Sequence, residues 1–237
     1  MTLAADLTDV ADQPVAEIIT RFRRLYSAAV YDVLDELGLP HQALAPELKP
    51  VRDTMIVAGP AFTMKGIPDP IGNEALRERR IHMFGDMRAI GTPLVDVRDT
   101  SFDQQAAHYG EMNATVGKSC GVVGAVIDGG CRDTAFLIES DFPTFCRYQT
   151  PVEAYKRWSY YDWGLTVGLR GALTATVLVH PGDFVFGDLD GVVIVPMELR
   201  DEVLLRAESL VQHENEVRQE FLSGADPVEV YRRHGRL

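Results

Sequence analysis

Apolar positions along this chain recur with two periods, and the switching between them lays out alternating helices and strands. Val15, Ile18, Ile19, Phe22 and Leu25 share one helical face. A second helix is expected over 28–37, N-capped by Ser27, with Val30, Val33, Leu34 and Leu37 on its apolar side. Gly38 and Pro40 stop it. Residues 41–54 read as irregular, and short strands at 55–58 and 61–64 flank Gly59-Pro60. Gly66, Pro68, Pro70 and Gly72 mark 65–73 as a loop. A helix over 74–83 with a charged outer side, a strand over 93–97 and a polar surface loop over 98–110 follow. A helix over 111–120 is then ended by Gly121.

The most informative stretch is 121–133. Val122 to Ile127 is an apolar, β-branched run that reads as a buried strand. Asp128-Gly129-Gly130 is expected to turn the chain tightly, because glycine accepts positive φ. Arg132 and Asp133 follow, either as a salt bridge capping the next helix or as an anion-and-metal constellation on a stiff mount. Beyond them come a short helix over 134–140 and a strand starting near 142. An aromatic segment over 151–163 (Tyr155, Trp158, Tyr160, Tyr161, Trp163) is expected to pack in the core or between subunits. Residues 165–179 are strand-like but interrupted by Gly168 and Gly171. Phe184 to Val195 reads as a hairpin around Asp188-Leu189-Asp190-Gly191. The longest helix spans 197–221, and Asp226-Pro227 caps a short basic helix with Arg232, Arg233 and Arg236. With no repeat and no linker, the 237 residues are expected to form a single α/β domain.

Composition narrows the function classes. The net charge is −12, which argues against a nucleic-acid partner, since that needs a basic face. No apolar run is long enough for a membrane helix, and the N-terminus lacks the basic and apolar regions of a signal peptide. Three cysteines without a C-x-x-C pair fit reduced thiols, so a cytoplasmic location is expected. Nucleotide-loop, nucleophile-elbow and zinc-protease motifs are missing. His108 stands alone and reads as a surface or packing residue. What remains is a hard-oxygen site. Glu111 opens a helix whose first N–H groups, at Met112 and Asn113, lack intrahelical acceptors and form an anion-binding end. If the strand 122–127 runs back along that helix, Arg132 and Asp133 return beside residue 111.

Gly110-Glu111, twenty residues, then Arg132-Asp133 resembles the signature of the RraA-like / 4-hydroxy-4-methyl-2-oxoglutarate aldolase family. So do the run Ser27 to Leu34 with Gly38, the run Gly59 to Thr63, Pro181-Gly182-Asp183, and Gly187 to Val193. The resemblance covers about residues 18 to 224. It implies an αββα sandwich of the swivelling-domain type, assembled as a homotrimer or hexamer with the active site between subunits. It implies that Asp133 binds a divalent metal, Mg²⁺ or Mn²⁺, and that Glu111 holds metal-bound water. Arg132 and the backbone of Gly110, Glu111, Met112 and Asn113 would bind a pyruvate-like α-keto acid. A glutamate from a second subunit's C-terminal helix, Glu208 or Glu214, would complete the site.

The implied activity is that of a class II pyruvate aldolase or oxaloacetate decarboxylase. One departure stands out. The aldolases continue Arg-Asp-x-x-acid, whereas this chain reads Arg132-Asp133-Thr134-Ala135-Phe136. A phenyl ring accepts no hydrogen bond from metal water. If Asp133 and residue 136 share a helical face, both look toward one cavity. Glu139 is turned a further ~60° around the axis and is not expected to substitute. The departure keeps two alternatives open: a non-catalytic regulator that binds an endoribonuclease, and a related enzyme for another keto or sugar acid.

Overall fold

The computed structural model describes residues 13–235; the signal-peptide reading of the N-terminus and Arg236 fall outside them. Two helices come first, α1 (Val15–Phe22) and α2 (Ser27–Glu36). Tyr26, not Ser27, is the N-cap of α2. Ser27 is the first helical residue, and its N–H and Oγ both donate to the Asp188 carboxylate, at 2.7 and 2.6 Å. After β1 (Lys49–Pro50) comes β2 (Val57–Pro68), one continuous strand through Gly59-Pro60 where two short strands and a loop were expected. Its first half pairs antiparallel with β10 (Phe184–Gly187); its second half pairs parallel with β3 (Leu94–Asp99). Two ladders, one on each half, hold the glycine and proline in an extended run.

From β2 the chain winds in one direction. It passes through α3 (Glu74–Ala89), β3, β4 (Ala107–Tyr109), α4 (Glu111–Ser119), β5 (Val122–Cys131), α5 (Thr134–Glu139) and β6 (Thr144–Gln149). Strands β2, β3, β5 and β6 are neighbours in that order and parallel. Crossovers of one hand put successive helices on the same face. Accordingly α3, α4 and α5 share a core, with Met83, Met87, Ala114 and Leu137 against Phe62, Met64 and Ile127. On the other face Val95, Val97, Val126 and Phe145 meet the hairpin β8 (Val167–Leu169) and β9 (Val177–Val179), with Val185 of β10 and Ile194 of β11 (Val192–Val195). The outer side of β10–β11 carries Phe184, Phe186, Val193 and Val195. These pack under α1, α2 and α6 (Arg200–Leu222), where Phe22 stacks on Phe184 at 4.2 Å. Three cores between four layers make an αββα sandwich. The remaining elements are β7 (Trp158–Trp163), antiparallel on the distal half of β2, and α7 (Pro227–His234), capped by Asp226 as expected. Among the described residues no helix is long and apolar enough to cross a membrane.

Strand β5 departs most from its expected form. It does not turn at Asp128-Gly129-Gly130 but runs on to Cys131. The glycines serve close packing instead of a turn. A Cβ on Gly129 would lie 2.4 Å from His108 Nδ1, and one on Gly130 would lie 2.3 Å from the Tyr148 ring. The left-handed residue comes later, at Asp133 (φ 55°).

Candidate functional site

The site forms where β5 ends beside the start of α4, at the carboxyl edge of the parallel strands, where open α/β sheets bind ligands. Strand β4 aligns the two. It pairs with the last residues of β5, and the Arg132 N–H donates to Tyr109 O at 2.9 Å. Gly110 then caps α4, and the Glu111 N–H points at Asp133 Oδ2, 3.3 Å away. Gly110 leaves room for this arrangement: a Cβ would lie 2.6 Å from Asp133 Oδ2, so the carboxylate would have to shift. Arg132 Nε stands 3.5 Å from the same oxygen, with both side chains a little over one-third exposed. Asp133 occupies the N-cap position of α5, yet its side chain makes no capping bond to that helix. Arg132 and Asp133 thus stand as an ion pair, but the Asp133 side chain does not cap α5; its carboxylate faces the start of α4.

Not all the expected amides are free. Asn113 N–H is taken by Gly110 O at 3.0 Å, and Glu111 N–H faces Asp133. The N–H groups of Gly110 and Met112 have no partner among the described residues. The Glu111 carboxylate accepts from Thr115 Oγ1 at 2.8 Å. Phe136 and Asp133, expected to look toward one cavity, do not line the same hollow: Asp133 is absent from the groove that Phe136 lines, and that groove is not the one into which Arg132 opens. Phe136 is 60% exposed and lines a shallow groove with Glu111, Thr115, Lys118 and Glu139. Asp133 is the N-cap of α5 with a left-handed backbone (φ 55°), so its side chain does not follow the helical i, i+3 projection toward Phe136. Glu139, expected to face elsewhere, lies in this same groove. Of the two C-terminal glutamates, Glu208 is engaged within the chain by Arg21, at 2.8 and 2.5 Å. Glu214 has no such partner among the described residues.

Arg132 opens into a cleft of about 500 Å³, lined also by Arg77 and Arg80 of α3, Asn113, Tyr155 and Tyr160. The sequence reading missed most of this wall. Arg98, expected on a surface loop, is 1% exposed, and Asp96 accepts from it at 2.7 Å. Residues two apart on a strand share a face, which is the signal that was available. Burial opposes the charge on Arg98, but Asp96 outweighs it and holds the guanidinium ionised. Arg98 stacks on Tyr109 and Tyr160 and donates to Tyr160 Oη at 2.8 Å. Tyr160 Oη donates to Asn113 Oδ1 at 2.5 Å. His108 is buried on the cleft floor. Its Nδ1 accepts from Gly130 N–H at 3.0 Å, which leaves the proton on Nε2, 3.0 Å from Asp103. Burial lowers its pKa to about 4 against the pull of Asp103, so the ring is neutral near pH 7.

The donor set can be tested against a metal. Among the described residues no group of three or more His, Cys, Asp or Glu side chains could hold one. A hard divalent ion that keeps most of its water needs only one or two carboxylates. Asp133, with Oδ1 unpartnered among the described residues, meets the lower end of that requirement, while the Glu111 carboxylate is bonded to Thr115.

The chain is similar to known proteins over most of its length. The family model described as Aldolase/RraA matches residues 27–194. A candidate 4-hydroxy-4-methyl-2-oxoglutarate aldolase of Halalkalibacterium halodurans is 28% identical over 211 residues, 89% of this chain and 91% of that protein. A structure described among novel cellulases from microbes of the gut ecosystem aligns with a TM-score of 0.78 at 33% identity, over 86% of this chain and 88% of that one. RraAS2 of Streptomyces coelicolor, described as an unusual member of the RNase ES inhibitor RraA family, aligns at 0.73 and 25% identity, over 88% of this chain and all of its own. With the family model covering well over half its length, the chain belongs to the RraA-like family.

Proposed function

We propose that this chain is a divalent-metal-dependent lyase that releases pyruvate from an α-keto acid. The observation that supports it best is the Arg132–Asp133 pair held against the start of α4 by Gly110, in a relative of candidate aldolases. Asp133 would hold Mg²⁺ or Mn²⁺ directly, with Glu111 on its water, and the ion would supply Lewis-acid polarisation of the 2-oxo group. The free N–H groups of Gly110 and Met112, at the positive end of α4, bind the carboxylate of the keto acid. Arg132 places its guanidinium where C–C cleavage leaves charge on the enolate oxygen. His108 is not assigned the proton transfer, since both of its ring nitrogens are engaged within the protein.

The test is pyruvate release from oxaloacetate and from 4-hydroxy-4-methyl-2-oxoglutarate, with Mg²⁺ or Mn²⁺ and with chelator. Turnover that chelator removes, and that Arg132→Ala and Asp133→Ala abolish in folded protein, is the expected result. The exposed Phe136 ring, where an acid stands in the aldolases, favours one second reading: a regulator that binds an endoribonuclease. It predicts no turnover and tight association with such an enzyme.

A further inference from the structure

The chain reaches Arg132 and Asp133 through a buried thiol that the proposed chemistry does not use, and a second thiol lies against it. Cys131 ends β5, and Cys146 lies on the parallel neighbour β6. In the ladder Cys131 stands opposite Gln149, and Cys146 opposite Ile127. On straight strands the two cysteines would be roughly 10 Å apart. They meet because the register shifts between Ile127 and Gly130, and an irregularity of that kind bends the strand that carries it. The two Sγ atoms are 3.0 Å apart, inside the core shared by α3, α4 and α5. The other polar neighbour of Cys131 Sγ is Thr134 Oγ1, at 4.0 Å. Cys131 is fully buried and Cys146 nearly so. Cys120 is buried as well, but its sulfur meets only Ser119 Oγ at 3.8 Å and Phe84 O at 3.6 Å. A disulfide bond is about 2.05 Å long, so roughly 1 Å of closure joins Cys131 to Cys146. The bent end of β5 is where the ladder can give by that amount.

We infer that Cys131 and Cys146 are a site of reversible oxidation, at which a peroxide forms a disulfide that displaces the Arg132–Asp133 end of β5. Cys146, the less buried of the two, attacks one oxygen of hydrogen peroxide; the O–O bond breaks, water leaves and a sulfenic acid forms. The Cys131 sulfur then attacks the Cys146 sulfur, the S–O bond breaks and a second water leaves. The two thiols give up two electrons and two protons, and the peroxide takes both up as two waters. A dithiol reverses the bond by exchange. Closure draws Cys131 toward Cys146, against the Arg132 N–H bond to Tyr109 O (2.9 Å) that aligns the strand end with α4. The disulfide is independent of the keto-acid reading; only its effect on turnover rests on that reading.

The test treats the folded full chain with hydrogen peroxide, then denatures it and counts free thiols. The wild type should fall from three thiols to one, and peptide mapping should find Cys131 joined to Cys146 within one chain. Dithiothreitol should restore all three. Cys120→Ser should lose both of its remaining thiols, whereas Cys131→Ser and Cys146→Ser should form no disulfide. Hydrogen exchange over residues 128–134 should speed up severalfold in oxidised wild type and stay unchanged in peroxide-treated Cys146→Ser, shown folded by a thermal melt. Three thiols surviving peroxide overturn the inference. So does a sulfinic acid in place of the disulfide, or a bridge that involves Cys120 or a second chain. A disulfide with unchanged exchange over 128–134 overturns its action on the strand end. If the disulfide forms and exchange rises, but neither state releases pyruvate with metal, the oxidation site stands while the keto-acid reading fails.

Discussion

A methyl group on Gly110 would lie 2.6 Å from Asp133 Oδ2 and 3.1 Å from Arg132 Cγ. The backbone there is extended (φ −167°), so alanine is allowed by its dihedrals and forbidden only by these neighbours. Gly110→Ala should therefore displace the carboxylate while leaving the fold intact. We expect kcat/KM for metal-dependent pyruvate release to fall roughly 10–100-fold, as for other groups that orient a metal ligand. An unchanged kcat/KM would mean that Asp133 is not held where the chemistry needs it. His108 makes a prediction about pH. Its folded pKa, about 4, lies below its ordinary 6.5, so the unfolded chain binds the extra proton between those values. Stability should thus rise with pH through this window and be lost as pH falls from about 6.5 toward 4, by roughly 3 kcal/mol in all. Urea melts across that range for wild type and His108→Gln check it. The same slope in both would assign the loss to other groups.

Elements here are joined by contacts that tolerate no extra atom. Strand β7 crosses the distal half of β2 with a register shift at Lys65/Gly66, and Trp158 lies flat over Gly66. A Cβ on Gly66 would fall 1.8 Å from the indole, so the ring or the strand would have to move. Trp158 also donates Nε1–H to Thr100 O at 3.2 Å and packs edge-on against His108 and Tyr160. Gly66→Ala should expel the indole, cost about 1–3 kcal/mol of stability and deform the cleft wall. Denaturant melts read the first effect, and a red shift of tryptophan emission reads the second. Wild-type stability and emission together would show that β7 can slide. Outside the site, Asp188 secures another junction: it ties the β10–β11 turn to the first residue of α2.

On the scale of the molecule, apolar side chains stay exposed on the β8–β9 hairpin, one in its connecting loop and one on β9. Leu178 is 58% exposed and Leu173 61%. Together with the family's fold, this leads us to expect a homotrimer or a dimer of trimers, in which α6 of one copy can bring Glu214 to a neighbour's site. Light scattering at micromolar concentration should report three or six chains. A monomer would remove both the assembly and the shared site.

What the sequence determined by itself is whatever a local pattern encodes. The helix starting at Glu111, the buried strand from Val122, the hairpin with its Asp188–Gly191 turn and the Asp226-Pro227 cap all follow from period, turn chemistry and capping. The Gly110-Glu111 and Arg132-Asp133 pairs were legible as well, since a strand end and a helix start are readable positions and their spacing is distinctive. Tertiary structure decided the rest. Gly129 and Gly130 look like a turn in sequence, and only the crowding of His108 and Tyr148 shows that they stay in a strand. The left-handed backbone of Asp133 takes its own carboxylate off the helical projection that would pair it with Phe136, and a projection that assumes regular geometry has no access to that. Arg80 and Arg98 read as surface charge because their neighbours, Tyr160, Tyr109 and Asn113, lie far along the chain. Burial and charge balance belong to the packed molecule, and a one-dimensional pattern carries them only where both partners sit on the same element.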